Sequence, residues 1–356
     1  MSAFRWGIFG TGTISAKFVA GLVATAQTEV SFVASRSAAR AQRFAARMRV
    51  PRAIEGYANA VQEGGVDAIY IATPPALHVE HALTCIHAGI PVLVEKPLAT
   101  TVDDATRLIV GARDNAVFAM EAMWTRFLPA VRLLRDQLDG HCVGDVRMLA
   151  ASLGVAKSVR AENTSFNPVL GGGAISQLGV YPLSLGQYLF GPATLMHALG
   201  NVGETQVDED VAFHLRYQQN VLATCYVSIR SWAPSEFRVL GTTGEVCLRG
   251  PLIRPSGITL SRRSVEQLVE RDYSWRMRLR QRGWLNWLAQ RVGRTALKTS
   301  ATTIGRFYAG NGYHYQAEEV RRCLQQGSLE SSCMPLSDSL EIVQLSEQIR
   351  HHLRTV

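Results

Sequence analysis

The sequence has little that would support an oxidised, secreted or membrane-embedded protein. Its six cysteines are scattered at positions 85, 142, 225, 247, 323 and 333, with no Cys-x-x-Cys pair. That spacing offers neither a zinc ligand set nor a disulfide framework, so no metal is expected and a reducing, cytoplasmic setting fits. No apolar run reaches about eighteen residues, so no spanning helix is expected. The start, Met1-Ser2-Ala3-Phe4-Arg5-Trp6-Gly7, lacks an apolar core and a small-residue cleavage site, so no secretory signal is expected either. Charged residues are few, 19% against 47% hydrophobic, which excludes a mostly disordered chain. At about 150 residues per domain, 356 residues suggest two domains.

Net charge is also absent from most of the chain. Residues 262–306 hold eleven Lys and Arg against three acids, and this net +8 equals the formal charge of the whole protein. The remainder sums to zero, so a generally basic nucleic-acid binder is not implied. The same segment carries Trp275, Trp284 and Trp287, three of the six tryptophans. Three readings stand: a surface helix packed on this chain or a second copy, contact with an anionic membrane surface, or an acidic ligand.

The first 120 residues alternate strand-like and helix-like segments. Strands are expected at 4–9, 30–34, 68–72, 92–95 and 117–120. Helices are expected at 13–25, 37–48 with Ser37 as N-cap, 77–88 ending at Gly89, and 102–115. Such alternation predicts a parallel, doubly wound sheet. A helix at 129–138 leads into a second region. There, strands at 146–153, 196–202, 211–217, 221–228 and 237–240 follow in quick succession, interrupted by a helix at 175–190. Short connections favour antiparallel pairing. Helices at 315–325 and 337–353 close the chain.

Four motifs carry chemistry. Gly10-Thr11-Gly12-Thr13-Ile14-Ser15 joins the first strand to the first helix. Gly10 permits a tight turn, Gly12 lets backbone approach a pyrophosphate, and the helix N-terminus meets its charge. Ser15 stands in the third glycine position. The second strand ends in Ala34-Ser35-Arg36-Ser37, and no Asp or Glu occurs between Glu29 and Glu55. An acid for the ribose 2′-hydroxyl is therefore missing. Arg36 with Ser35 and Ser37 suits a 2′-phosphate, so NADP(H) is expected over NAD(H); the plain alternative is a solvated arginine. Glu95-Lys96-Pro97 ends a strand, where ligands of such sheets bind, and Lys96 can lower a neighbour's pKa or hold a substrate hydroxyl. Finally, Gly171-Gly172-Gly173 precedes an apolar helix with Gln177 and Tyr181 on one face. Tyr181 is either a core aromatic or a general acid.

In order, these motifs resemble the glucose-fructose oxidoreductase / inositol dehydrogenase / rhizopine-catabolism (Gfo/Idh/MocA) family. The resemblance extends over Ala72-Thr73-Pro74-Pro75-Ala76-Leu77-His78, Glu121-Ala122-Met123-Trp124-Thr125-Arg126-Phe127 and 310–320. Trp124–Phe127 and Tyr181 are most similar to its NADP-dependent dihydrodiol and xylose dehydrogenase branch. The resemblance implies an α/β Rossmann domain over 1–123. It implies an α+β substrate domain with a largely antiparallel open sheet over 124–356, here with a basic Trp-rich insertion about 264–303. It implies that Lys96 and Tyr181 are catalytic, with Lys96 lowering the pKa of Tyr181. Thr73, Pro74, His78 and Glu95 would line the cofactor beside Gly10, Thr11, Gly12, Thr13 and Ile14. Gln177, Trp124, Arg126 and Tyr313 would shape the substrate pocket. The implied reaction is hydride transfer between NADP(H) and a secondary alcohol or ketone of a sugar, polyol or dihydrodiol, in a homo-oligomer, commonly a dimer. Gln177 stands where many relatives have Asp, which keeps a cofactor-binding sensor as the alternative.

Overall fold

The computed structural model describes residues 3–262 and 300–355. Most of the expected insertion about 264–303 therefore lies outside the described residues. Its last positions, 300–303, belong instead to a regular strand.

The first sheet holds β1 (Phe4–Phe9), β2 (Thr28–Ser35), β3 (Arg52–Glu55), β4 (Ala68–Ile71), β5 (Val92–Glu95) and β6 (Ala119–Ala122), in the order β3-β2-β1-β4-β5-β6. All its pairings are parallel. Helices α1 (Thr13–Leu22), α2 (Ala38–Met48), α3 (Tyr57–Glu63), α4 (His78–His87) and α5 (Val102–Asp114) connect its strands. Every residue of β4, β5 and β6 is buried, and they are apolar throughout except for Glu95 at the end of β5 and Glu121 within β6. Helix α5 starts where Thr101 accepts the Asp104 N–H at 3.2 Å. Ser37 does occupy the N-cap of α2, but its side chain makes no cap bond. Glu55 Oε1, at the end of β3, takes the Ala38 N–H instead, at 3.2 Å.

The second sheet is built from β7 (Val146–Gly154), β8 (Ala193–Val202), β9 (Asp208–Tyr217), β10 (Leu222–Ser228), β11 (Ala233–Gly241), β12 (Gly244–Arg249), β13 (Gly257–Arg262) and β14 (Ser300–Gly305). Their order is β14-β13-β12-β11-β7-β10-β9-β8. Only β7 and β10 pair in parallel. Helices α6 (Pro129–Asp139), α7 (Val180–Phe190), α8 (His314–Gln325) and α9 (Leu336–Thr355) complete the described elements. Helix α7 packs on the buried face of this sheet, where Phe190 meets Tyr217 with centroids 5.6 Å apart. Gly186 makes room for Tyr217, since a Cβ there would collide with its hydroxyl. The helix expected at 175–190 begins as one π-turn, Ile175–Gly179, before α7.

Arg126, expected beside the substrate pocket, ties these parts together and does not line the cavity described below. It is fully buried. It donates to Ser184 Oγ at 2.7 Å, Ser184 O at 3.0 Å, Cys333 O at 3.2 Å and Asp338 Oδ2 at 2.6 Å. Among the described residues no helix is long and apolar enough to cross a membrane.

Candidate active site

One cavity of about 980 Å³ opens beyond the carboxyl ends of β1, β2, β4 and β5. Gly10 turns the chain there at φ +102°, and a Cβ on it would lie 2.6 Å from the Ala72 carbonyl. A Cβ on Gly12 would meet nothing within 4 Å, so the backbone is open to a ligand at that point. Gly12 is also the N-cap of α1, without a side-chain cap, leaving the first-turn N–H groups available to an anion. Thr11, Thr13 and Ile14 share this wall, and Ser35, Arg36 and Ser37 form the next part of it.

Beyond Arg36 lies a feature that the motif reading missed. Arg40, Arg43 and Arg47 of α2 line the same end of the cavity. Their spacing of three and four residues puts them on one helix face, a signal present in the sequence. Tyr57 and Thr164, also unforeseen, line it as well.

Thr73, Pro74, His78, Glu95 and Lys96 sit along the middle of the cavity. His78 is buried between two loops, with Nδ1 2.8 Å from Pro97 O and Nε2 2.9 Å from Thr73 O. Burial pushes its pKa down to about 4, so the ring is neutral at pH 7 and donates to one carbonyl at a time. It thereby joins the loop after β4 to the loop after β5. Glu95 accepts the hydroxyl hydrogen of Tyr70 and, at 3.2 Å, the N–H of Lys96.

At the far end stand Lys96, Gln177, Tyr181 and Tyr313. Lys96 Nζ donates to the backbone carbonyl of Gln177 at 2.8 Å and lies 4.9 Å from the centre of the Tyr181 ring. Burial lowers the Lys96 pKa, opposed by the carboxylates of Glu95 and Glu121. Burial raises that of Tyr181, assisted by Glu95 and opposed by the Trp124 indole. The expected lowering of the Tyr181 pKa by Lys96 is thus not the net effect in this form. The ammonium covers the ring face, and desolvation of the phenolate dominates. Trp124 is not part of the cavity lining; it backs Tyr313 in a stack 4.5 Å apart and 15° from parallel.

The chain matches two family models. Residues 4–122 match the oxidoreductase family with an NAD-binding Rossmann fold, and residues 131–247 match the Gfo/Idh/MocA C-terminal domain. It is 30% identical over 352 residues to trans-1,2-dihydrobenzene-1,2-diol dehydrogenase of Sus scrofa, covering 98% of this chain and 96% of that protein. The Mus musculus enzyme of the same name is 29% identical over 355 residues, with the same coverage. Among solved structures it is similar to KijD10, a 3-ketoreductase from Actinomadura kijaniata in complex with NADP and TDP-benzene. That match has a TM-score of 0.81 and 23% identity, covering 99% of this chain and 98% of the other. The aldose-aldose oxidoreductase of Caulobacter crescentus gives a TM-score of 0.80 at 18% identity, with the same coverage. With both domains matched and its relatives aligned end to end, the chain belongs to the Gfo/Idh/MocA family of oxidoreductases.

Proposed function

We propose that this protein is an NADP(H)-dependent oxidoreductase. It moves a hydride between the nicotinamide and a secondary alcohol or ketone of a sugar, polyol or dihydrodiol-like substrate. The observation that carries this reading is the single cavity. It joins an uncapped Gly-rich helix start, four arginines and the Lys96–Tyr181 pair.

The residues present suit the cofactor. The backbone at Gly12 is open to a pyrophosphate, and the first-turn N–H groups of α1 face its charge. Arg36 and Arg40 are the donors for a 2′-phosphate, and no carboxylate lines that end to favour a free 2′-hydroxyl. The bound cofactor supplies the hydride chemistry.

Tyr181 keeps its proton at neutral pH, because burial and Glu95 disfavour the phenolate. That is the state needed to donate from Oη to the alkoxide oxygen formed when a ketone is reduced. Lys96 holds the Gln177 carbonyl and supplies positive charge over the ring. Alcohol oxidation runs the step in reverse: Tyr181 must first lose its proton to solvent, and the phenolate, facing the Lys96 ammonium, then takes the proton of the substrate hydroxyl. Gln177 presents a neutral amide that hydrogen-bonds a hydroxyl but takes no proton. The expected arrangement of two domains, 1–123 and 124–356, and of a homo-oligomer belongs to the same proposal.

The test is a paired titration with NADPH and NADH, followed by turnover of aldoses, sugar ketones and trans-dihydrodiols by wild type and Tyr181→Phe. Tight NADPH binding, weaker NADH binding and turnover lost in the variant support the enzyme. Cofactor binding without any turnover favours the sensor alternative.

A further inference from the structure

The segment that carries Gln177 and Tyr181 is held by residues that do not line the cofactor cavity. Asp208, the first residue of β9, is buried, and its Oδ2 accepts the N–H of Ile175 at 2.7 Å. Ile175 opens the π-turn Ile175–Gly179. Two further contacts converge on the same point. Gly173 lies against this carboxylate at φ +114°, where a Cβ would collide with Asp208 Oδ1. Arg350 of α9 donates to Ser176 Oγ at 3.3 Å and to Thr100 O at 2.8 Å. The turn in turn delivers the Gln177 carbonyl to Lys96 Nζ.

We propose that Asp208 is a positioning residue for hydride transfer: its carboxylate anchors the Gly173–Ile175 turn, and so sets where Gln177 and Tyr181 stand relative to Lys96. The inference rests on the reading of Tyr181 and Lys96 given above. It assigns Asp208 no contact with substrate or cofactor. Its effect passes through the backbone, and an error of about 1 Å in such placement costs on the order of 100-fold in rate.

The anchor has a built-in pH dependence. Burial raises the Asp208 carboxyl to about 6, opposed by the N–H groups of Ile175 and Ala174 and by the Arg350 guanidinium. Arg350 itself faces Glu347 and Arg354 on its own helix. A cavity of about 230 Å³, lined by Asp208, Ser176, Gln206 and Arg350, borders the carboxylate. As pH falls through about 6, protonation removes acceptor capacity from the site that receives the turn's N–H, and the anchor weakens.

The experiment compares wild type, Asp208→Asn and Asp208→Ala as full chains. Amide hydrogen exchange of the peptide spanning 173–181 reads the anchor directly. Steady-state turnover of trans-1,2-dihydrobenzene-1,2-diol with NADP⁺ between pH 5 and 8 reads its consequence. Asp208→Ala is expected to speed exchange of that peptide about tenfold and to lower kcat about 10- to 100-fold, with the NADPH Kd within about twofold. Asp208→Asn keeps a side-chain acceptor; it is expected to fold, to recover part of kcat and to lose the acid limb expected near pH 6 in wild type. Unchanged exchange in both variants overturns the proposal, as does an acid limb that persists in Asp208→Asn. If wild type turns over nothing, the functional reading fails by itself, and the exchange data still decide the anchor.

Discussion

In the first sheet, strands β4, β5 and β6 are buried at every position. In the second, β9 and β10 alternate: Val211, Phe213 and Leu215 point inward, whereas Ala212, His214 and Arg216 stay exposed. The same element type thus does two jobs. A sheet covered on both faces has only its strand ends free for chemistry, and there Gly10, Ser35, Thr73 and Lys96 meet the cavity. A sheet covered on one face acts as a base plate. It presents nothing reactive itself but fixes the helix laid on it, and so fixes Tyr181.

The largest expected effect tests whether the site needs both contributions. Tyr181→Phe and Lys96→Ala are each expected to lower kcat by about 10²- to 10⁴-fold. The double variant should be little worse than either single one, because a pair acting as a unit is not additive. Full additivity in steady-state kinetics would break the view of one site assembled from two sheets.

Stability separates the two faces of the open sheet. Phe213→Ala on the buried face is expected to cost about 3–5 kcal/mol in urea unfolding. Leu222→Ala on the exposed face should stay within about 0.5 kcal/mol. Equal losses would mean that the outer face is covered in solution.

Glu121 compares a carboxyl in the closed sheet with one on the open sheet. Burial raises its pKa from 4.5 to about 7. A raised carboxyl makes the folded state bind the extra proton, so its stabilising effect is present below pH 4.5 and is lost as pH climbs to about 7. Glu121→Gln should remove that fall, on the order of 3 kcal/mol, from unfolding curves taken across this range. Glu245→Gln, which breaks a half-exposed pair with Arg238, should change stability by no more than about 1 kcal/mol.

The last effect is on binding alone and concerns the cofactor end. Arg36→Ala should weaken NADPH by about 1.5–3 kcal/mol, the loss of a charge-assisted bond, and leave NADH unchanged by fluorescence titration.

The same contrast explains what the sequence shows and what it hides. Strands β1 and β5 are readable to the residue, because their buried stretches, Trp6–Phe9 and Val92–Val94, run up to the turn signals at Gly10 and Pro97. Strand β6 is displaced by two residues from the apolar run at 117–120, since Val117 and Phe118 are buried just before the ladder begins. Strands β3, β12, β13 and β14 are short or mixed in polarity, and their pairing depends on neighbours distant in sequence. In the site, Gly10, Gly12, Arg36 and Lys96 are legible because each occupies a fixed offset from a strand end. Asp208 is not, since its carboxylate reaches a turn 33 residues earlier only after the sheet has formed. The structural links of Arg126 are hidden for a related reason. The residue sits beside a motif, but its partners Ser184, Cys333 and Asp338 come from remote elements.

The second sheet grows outward in both directions from β7, so β14 is its outermost strand on one side. Chain added between β13 and β14 therefore meets the fold at its margin. A misfit there burdens a single strand pairing, while Tyr181 is delivered from between β7 and β8, on the opposite flank. Residues 263–299 occupy this interval. The pairing of β14 and the placement of Tyr181 are thus separate requirements on one sheet: the first is met at its edge, the second through the helix laid on its face.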